Sequence, residues 1–513
     1  MKKTFALLLS LLMLLSLALP LRVNADEEAL SGELSVQAET GWMDYYQAAV
    51  DRLMEKYPDV KINLIETGAF DHLDVIDATD AGNPDVADLF AIPADRLYGL
   101  HKNEVLGALD AEKLADAIGG WEDFDAFNEG IGGKFQISGE YFAFPMNIET
   151  LINFVNIKNA EEKGIDLEKA IELNDIDDSH TVLLPIFDAW YGVAATNSAN
   201  VELLGREMDL GEDVEPYEDA EEEDKKEEEE EEAEESEEAE EAAEEDKSEE
   251  KDGEEAEEKE LSLEEIFKSE EYQNVSAPEI MEGLFSDMTL EFSELAPAKQ
   301  ELFTSLYDYW KKNFDDNTAL FDPEAGWGYI DDTFTTGNGG VIRLGGPWDA
   351  ATIVEQAGGG DNLKILPITS LTINGRPLRH WKGGWGLAIN SRIEDDPMKV
   401  AIAEAMIEEL LNPDYAIDFY KAAGKIMENV DPEVYAKSDE LEDIDKVVIA
   451  AVFESYKAAP ARPLFEEWGQ VWDTWKNAIL SWNSVQPENA EAAYAELKAS
   501  FDSMMQNFVE VSE

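Results

Sequence analysis

Indole rings, carboxylates and an arginine beside the ends of apolar runs are the residues of this chain best suited to chemistry, and that chemistry is non-covalent. The stretch LFEEWGQVWDTWKNAILSW, residues 464–482, places Trp468, Trp472, Trp475 and Trp482 at spacings of four, three and seven. On a helix those offsets lie along one stripe. Such a helix needs one exposed ring to stack a ligand and buries the others as core, and Trp472 is assigned the exposed place. LGGPWD (344–349) sets Trp348 beyond a strand and a Gly-Gly-Pro turn, where its ring is expected to touch a ligand. PADR (93–96) follows the run VADLFAI, FAFPMNIET (142–150) carries Glu149 just past a strand, and WYG (190–192) follows LLPIFDA. A pyranose has an apolar C–H face that indole covers and a fringe of hydroxyls that Asp, Glu and Arg bind with charge-assisted hydrogen bonds.

Catalytic constellations are missing by comparison. Carboxylates are so abundant that no pair stands out as a glycosidase or protease dyad. His72, His101, His180 and His380 are scattered, without HxxxH or HxH spacing, and read as surface or satisfied histidines. Neither GxSxG nor a phosphate-binding loop signature is present, and GNGG (337–340) and GGGD (358–361) read as plain loops. Asp175, Asp177 and Asp178 lack the glycine and closing glutamate of a calcium loop. The expectation is a protein that is not an enzyme and holds no cofactor and no metal.

The elements that must position these residues read as α/β. GELSVQAET (32–40) is a strand, MDYYQAAVDRLMEKY (43–57) repeats apolar residues at helical spacing, and DVKINLIE (59–66) alternates as a strand. Strand, helix, strand implies a right-handed crossover and a parallel sheet. Further strands are expected at 86–92, 140–146, 341–346, 363–369 and 385–391. Helices are expected at 95–105, 398–412, 446–482 and 489–508. Open parallel sheets bind ligands beyond the carboxyl ends of their strands, which is where the aromatic residues fall.

Composition narrows the partners. The 513 residues carry 38 basic and 117 acidic side chains, a formal charge of −79, so phosphate backbones and anionic lipids are repelled and nucleic acid is excluded as a partner. A hydrophobic fraction of 44% supports large cores all the same. From 212 to 260 there are 32 acids and 5 bases with no apolar face, which predicts a disordered acidic insertion. Lys2 and Lys3, the apolar run Phe5–Leu19, Pro20 and Val23-Asn24-Ala25 read as a signal peptide over 1–25. The alternative is an uncleaved anchor, but the run is shorter than the about 20 residues that a span requires. With no cysteine, disulfides, thiolate sites and a lipid-modified cysteine are excluded. The chain is therefore expected to be exported, periplasmic or cell-surface/extracellular, and not a lipoprotein.

Six stretches in order resemble the solute-binding proteins of ABC transporters, in the maltose/maltodextrin-binding branch. They are GELSVQAETGW…MEKYPDVKINLIE, GNPDVADLFAIPADRLYGLHKNEVLGALD, GEYFAFPMNIETLINFVN, VIRLGGPWDA, LKILPIT…GGWGLAINS and the helix around WGQVWDTWKNAI. The resemblance implies an α/β, two-lobed periplasmic-binding-protein (type II) fold with a hinge of three crossings. It implies lobe 1 at 32–147 and 384–430, and lobe 2 at 149–382 and 431–513, the acidic insertion lying within lobe 2. Family ligand contacts then fall near Trp42 and Asp44, at Asp95 and Arg96, at Glu149, at Phe187 or Trp190, and at Trp348 and Trp472. The first loop has Trp42 where maltose binders place polar and basic groups, and the family's Glu-Pro-Tyr reads Pro185-Ile186-Phe187.

The resemblance implies a monomer that captures a maltodextrin-like oligosaccharide and delivers it to ABC transporter permease subunits in the membrane. Two other readings share these features. A secreted glycan-degrading enzyme would use the same signal, aromatics and acids. A peptide- or polyamine-binding protein of the same fold would use the acids as its main contacts and bind with strong salt dependence.

Overall fold

The computed structural model describes residues 30–206, 279–281 and 283–512. The expected signal (1–25) and acidic insertion (212–260) lie outside the described residues. Ten strands matter to the site. They are β1 (Ser31–Ala38), β2 (Asp59–Glu66), β3 (Leu89–Pro93), β4 (Leu106–Gly107), β5 (Phe144–Glu149), β6 (Ile152–Asn156), β7 (Val182–Leu183), β8 (Ile342–Gly345), β9 (Leu363–Pro367) and β10 (Gly383–Asn390). Eight of the helices matter to it as well: α1 (Met43–Lys56), α2 (Ala69–Ala78), α3 (Ala189–Ser198), α4 (Pro397–Leu410), α5 (Ala416–Ala423), α6 (Asp443–Lys457), α7 (Gly469–Val485) and α8 (Ala490–Ser512).

The first sheet runs β2-β1-β3-β10-β4, with β5 also paired to β10. β1 and β2 pair in parallel from Ser31↔Asp59 to Ala38↔Glu66, joined by α1 as the alternation and helical spacing predict. Tyr45, Tyr46, Ala49, Val50 and Leu53 form the buried face of α1, three or four residues apart. The edge strand β2 alternates in burial, whereas the inner strand β3 (LFAIP) is buried throughout. The sheet is mixed rather than parallel as expected. β10 returns from the second lobe and pairs antiparallel with β3, β4 and β5.

The second sheet runs β7-β8-β6-β9, with β6 antiparallel to both β8 and β9. The chain passes between the sheets from β5 to β6 and from β9 to β10. It passes again after α5, because α4 packs on β1 while α6 packs on β9. These passages make two lobes joined by a three-part hinge.

One expected helix is broken. Residues 446–482 are two helices, α6 and α7, separated by a stretch containing Pro460 and Pro463. Proline lacks an N–H and clashes with the preceding turn. The freed backbone is used elsewhere: the Pro460 carbonyl accepts from the Lys382 N–H at 2.9 Å, just before β10.

Candidate functional site

A cleft of about 1260 Å³ opens between the lobes. Its second-lobe wall is aromatic. Asp188 caps α3 by accepting from the Trp190 N–H at 2.9 Å, which fixes Trp190 in the first helical turn facing the cleft. The Trp190 ring lies 6.4 Å from that of Trp472 on α7, tilted by 36°. Trp381 stands edge-on to Trp472 at 5.8 Å, and Trp468 does so at 4.9 Å. Among the four tryptophans of residues 464–482, Trp468, Trp475 and Trp482 are buried, and Trp472 alone is half-buried and lines the cleft. The Trp475 and Trp482 indoles donate to the carbonyls of Ile186 at 2.7 Å and Ala493 at 3.0 Å, the arrangement of core rings with satisfied N–H groups.

Trp348 follows β8 in a short 3-10 turn, Pro347–Asp349. Its ring folds back over Gly346, where a Cβ would come within 2.3 Å of the indole. Glycine at 346 is therefore a steric requirement of the ring's position. Asp349 accepts from the Gly346 N–H at 3.1 Å and closes the turn, and burial pushes its carboxyl above the usual range.

Charged groups line the floor in fixed pairs. Asp95, in the turn after β3, meets Arg462 across the cleft with 2.8 Å between Oδ2 and the guanidinium. Arg96 lines the cleft but points its guanidinium at both oxygens of Asp77, 2.9 and 2.7 Å away. Glu149, at the end of β5, accepts from Lys425 Nζ at 3.2 Å with one oxygen and from Trp385 Nε1 at 3.2 Å with the other. His380 is fully buried behind Trp190, with Nε2 2.9 Å from the Trp190 carbonyl oxygen. Burial pushes its imidazole down to about 3.

Seven of the nine residues singled out in the sequence come together on this cleft: Trp42, Asp95, Arg96, Glu149, Trp190, Trp348 and Trp472. Two do not. Asp44 is exposed on the first turn of α1 and lies off the cleft wall. Phe187 is 2% exposed and packs edge-on against Phe321 at 6.4 Å and Trp327 at 5.7 Å, so of the Phe187–Trp190 alternatives only Trp190 reaches the cleft. Residue spacing did not single out Phe70, Trp385, Lys425 or Arg462, which also line it. The signals for two of them were present. Arg462 sits between the prolines of PARP, and Trp385 between the glycines of GGWG. A Cβ at Gly384 would fall 1.9 Å from Ile131 and one at Gly386 would fall 2.8 Å from Phe135, so that face of β10 must be bare while Trp385 projects from the other.

No protein-family model matches the chain, and no curated protein matches it. Solved structures do match. The maltose-binding periplasmic protein MalE from Listeria monocytogenes, in complex with maltose, is 17% identical with a TM-score of 0.56, and the match covers 92% of this chain and 98% of that one. MalX from Streptococcus pneumoniae, in complex with maltopentaose, is 15% identical with a TM-score of 0.58, covering 92% of this chain and 99% of that one. A cyclo/maltodextrin-binding protein complexed with maltotetraose is 13% identical with a TM-score of 0.59, covering 94% and 98%. These likenesses carry the fold, the two-lobed type II architecture of the maltose/maltodextrin-binding proteins.

Proposed function

We propose that this chain is an extracytoplasmic substrate-binding protein that captures a maltodextrin-like oligosaccharide between its lobes and hands it to an ABC permease. The lobes are 32–147 with 384–430, and 149–382 with 431–513, and residues 1–25 direct export. One observation carries the reading: Trp42 and Trp385 from one lobe and Trp190, Trp348 and Trp472 from the other face a single cleft beside Asp95 and Glu149. Indole faces suit the apolar side of a glucose ring, and the carboxylates and guanidinium suit its hydroxyls. The ligands named for the structures of like fold, maltose, maltopentaose and maltotetraose, are of that class.

The sugar first stacks on the lobe-two rings and then recruits the lobe-one groups. Only the closed form makes both sets of contacts, so the ligand shifts the population toward closure. Calorimetric titration with maltose, maltotriose and longer maltodextrins tests this, with affinity expected to change little with salt because stacking is uncharged. A cleft that binds none of them, or a protein that releases reducing sugar from starch-like polymers, overturns it.

A further inference from the structure

We infer that Lys425 sets the charge class of the ligand, because its ammonium fills an aromatic box that is otherwise built for an organic cation. Lys425 is 6% exposed, and its Nζ lies 5.8 Å from the ring centroid of Trp42, 5.6 Å from Trp348 and 5.4 Å from Trp385. All three distances fall within the about 6 Å over which a cation is held by an aromatic face. The remaining side is a carboxylate, Glu149 Oε1, at 3.2 Å. Several indole faces with a carboxylate form the recognition chemistry of quaternary and primary ammonium groups.

Each wall of the box is held by contacts other than those to Lys425, and Trp348 completes the box from the second lobe when the lobes are together. Trp42 stands edge-on to Phe419 at 6.3 Å, and Trp385 stands edge-on to Phe70 at 5.2 Å. The second Glu149 oxygen is held by Trp385 Nε1, and Trp348 is seated on Gly346. The occupant is equally fixed. Gly424, with φ +62°, ends α5 and lets the chain press so close to the Trp348 turn that a Cβ would lie 3.1 Å from the Pro347 carbonyl oxygen. A cation tethered at that point competes at high effective concentration with any free one.

Arg462 plays the same part in the other half of the cleft. Its guanidinium carbon lies 4.9 Å from the Trp190 centroid and 5.7 Å from both Trp381 and Trp472. Both aromatic clusters are thus filled by the protein's own cations. A cleft on a chain of charge −79 would otherwise draw in polyamines and basic peptides, and this arrangement excludes them while leaving hydroxylated, uncharged ligands free to stack.

The inference rests on the oligosaccharide reading only in taking the natural ligand as uncharged. Its test is titration of wild type and Lys425→Ala with tetramethylammonium chloride, against sodium chloride at equal ionic strength, read by tryptophan fluorescence and by Tm. Lys425→Ala is expected to bind tetramethylammonium saturably, about ten-fold or more tighter than wild type, as removal of a tethered competitor predicts. The gain is expected to vanish in Lys425→Ala/Glu149→Gln. Where Lys425→Ala does not fold, Lys425→Ser carries the same titration, and methylammonium raising the Tm of either variant counts as the same result. No gain in the variants, or equal binding by wild type, overturns the proposal. Maltodextrin titration of the same wild-type sample keeps the two readings apart. Sugar binding without an ammonium gain removes only this inference, and an ammonium gain without sugar binding removes only the oligosaccharide reading.

Discussion

Asp95 and Arg462 form an ion pair from opposite lobes, with 2.8 Å between carboxylate and guanidinium, and Arg462 is only 8% exposed. Under the proposed closure, the pair belongs to the closed form. In an open form both groups regain water. Arg462→Ala leaves the Asp95 carboxylate, whose side chain is 20% exposed, without its partner, and here that cost falls on the closed form alone. Arg462→Ala is therefore expected to open the ligand-free protein, seen as a larger radius of gyration in solution scattering. Asp95→Asn/Arg462→Met is expected to return toward the wild-type value. An unchanged radius in Arg462→Ala would show that the pair does not hold the lobes.

Trp472 and Trp475 lie three residues apart on one helix and are predicted to fail in different ways. Alanine at Trp472, or at Trp348, removes a cleft ring and is expected to weaken maltodextrin binding by about 1–3 kcal/mol with a small change in Tm. Alanine at Trp475, which is 1% exposed and donates to the Ile186 carbonyl, is expected to cost about 3–5 kcal/mol of stability. Calorimetry and thermal melts on the three variants check the division. Equal loss of affinity in all three would remove the assignment.

What the sequence disclosed follows from how local the signals are. α1, β1 and β2 are each written in a single run of helical or alternating spacing, and they form where expected. The ordered stretches around Asp95, Glu149 and Trp348 also placed those residues on one cleft. Lys425 gave no such signal, because its surroundings come from Trp42, Glu149, Trp348 and Trp385, each on a different element. A lysine in an exposed helix end and one in an aromatic box look alike in a linear chain. The break between α6 and α7 is legible in Pro460 and Pro463, which the expected helix over 446–482 runs straight through. Phe187 and Trp190 stand as alternatives in the sequence because both are aromatic and three residues apart; only the fold shows that the Phe187 ring turns into the core while Trp190 lines the cleft.

Gly346 ties backbone to ligand contact. A Cβ there would sit 2.3 Å from the Trp348 indole, and the backbone angles of residue 346 (φ −102°, ψ 176°) are open to any residue. Gly346→Ala should therefore fold and displace only the ring. It is expected to reproduce most of the affinity loss of Trp348→Ala, with a Tm shift of a few degrees at most, equivalent to about 0.5–1.5 kcal/mol for an off-rotamer ring. Full sugar affinity in Gly346→Ala would mean that the ring takes no part in binding.

Acid should loosen the second-lobe wall through His380. Its neighbours are the rings of Trp190 and Trp381, at 4.2 and 5.9 Å, and the nearby guanidinium of Arg462. Burial, and secondarily that guanidinium, pushes the imidazole down to about 3 from an ordinary value of 6.5, and burial pushes His72 down to about 4. A depressed folded-state value means that the unfolded chain takes up the proton first. The stability these groups give is present above about pH 6.5 and is withdrawn as pH falls, toward about 4 for His72 and about 3 for His380, by about 1.4 kcal/mol per pH unit for each histidine. Protonation of the excess carboxylates acts in the opposite sense by relieving self-repulsion, so the test is a difference between two proteins. His380→Gln keeps a donor for the Trp190 carbonyl and loses the titration. Its Tm is expected to fall less steeply than that of wild type between about pH 6.5 and about pH 4. Parallel Tm–pH curves would show that His380 does not couple proton uptake to unfolding.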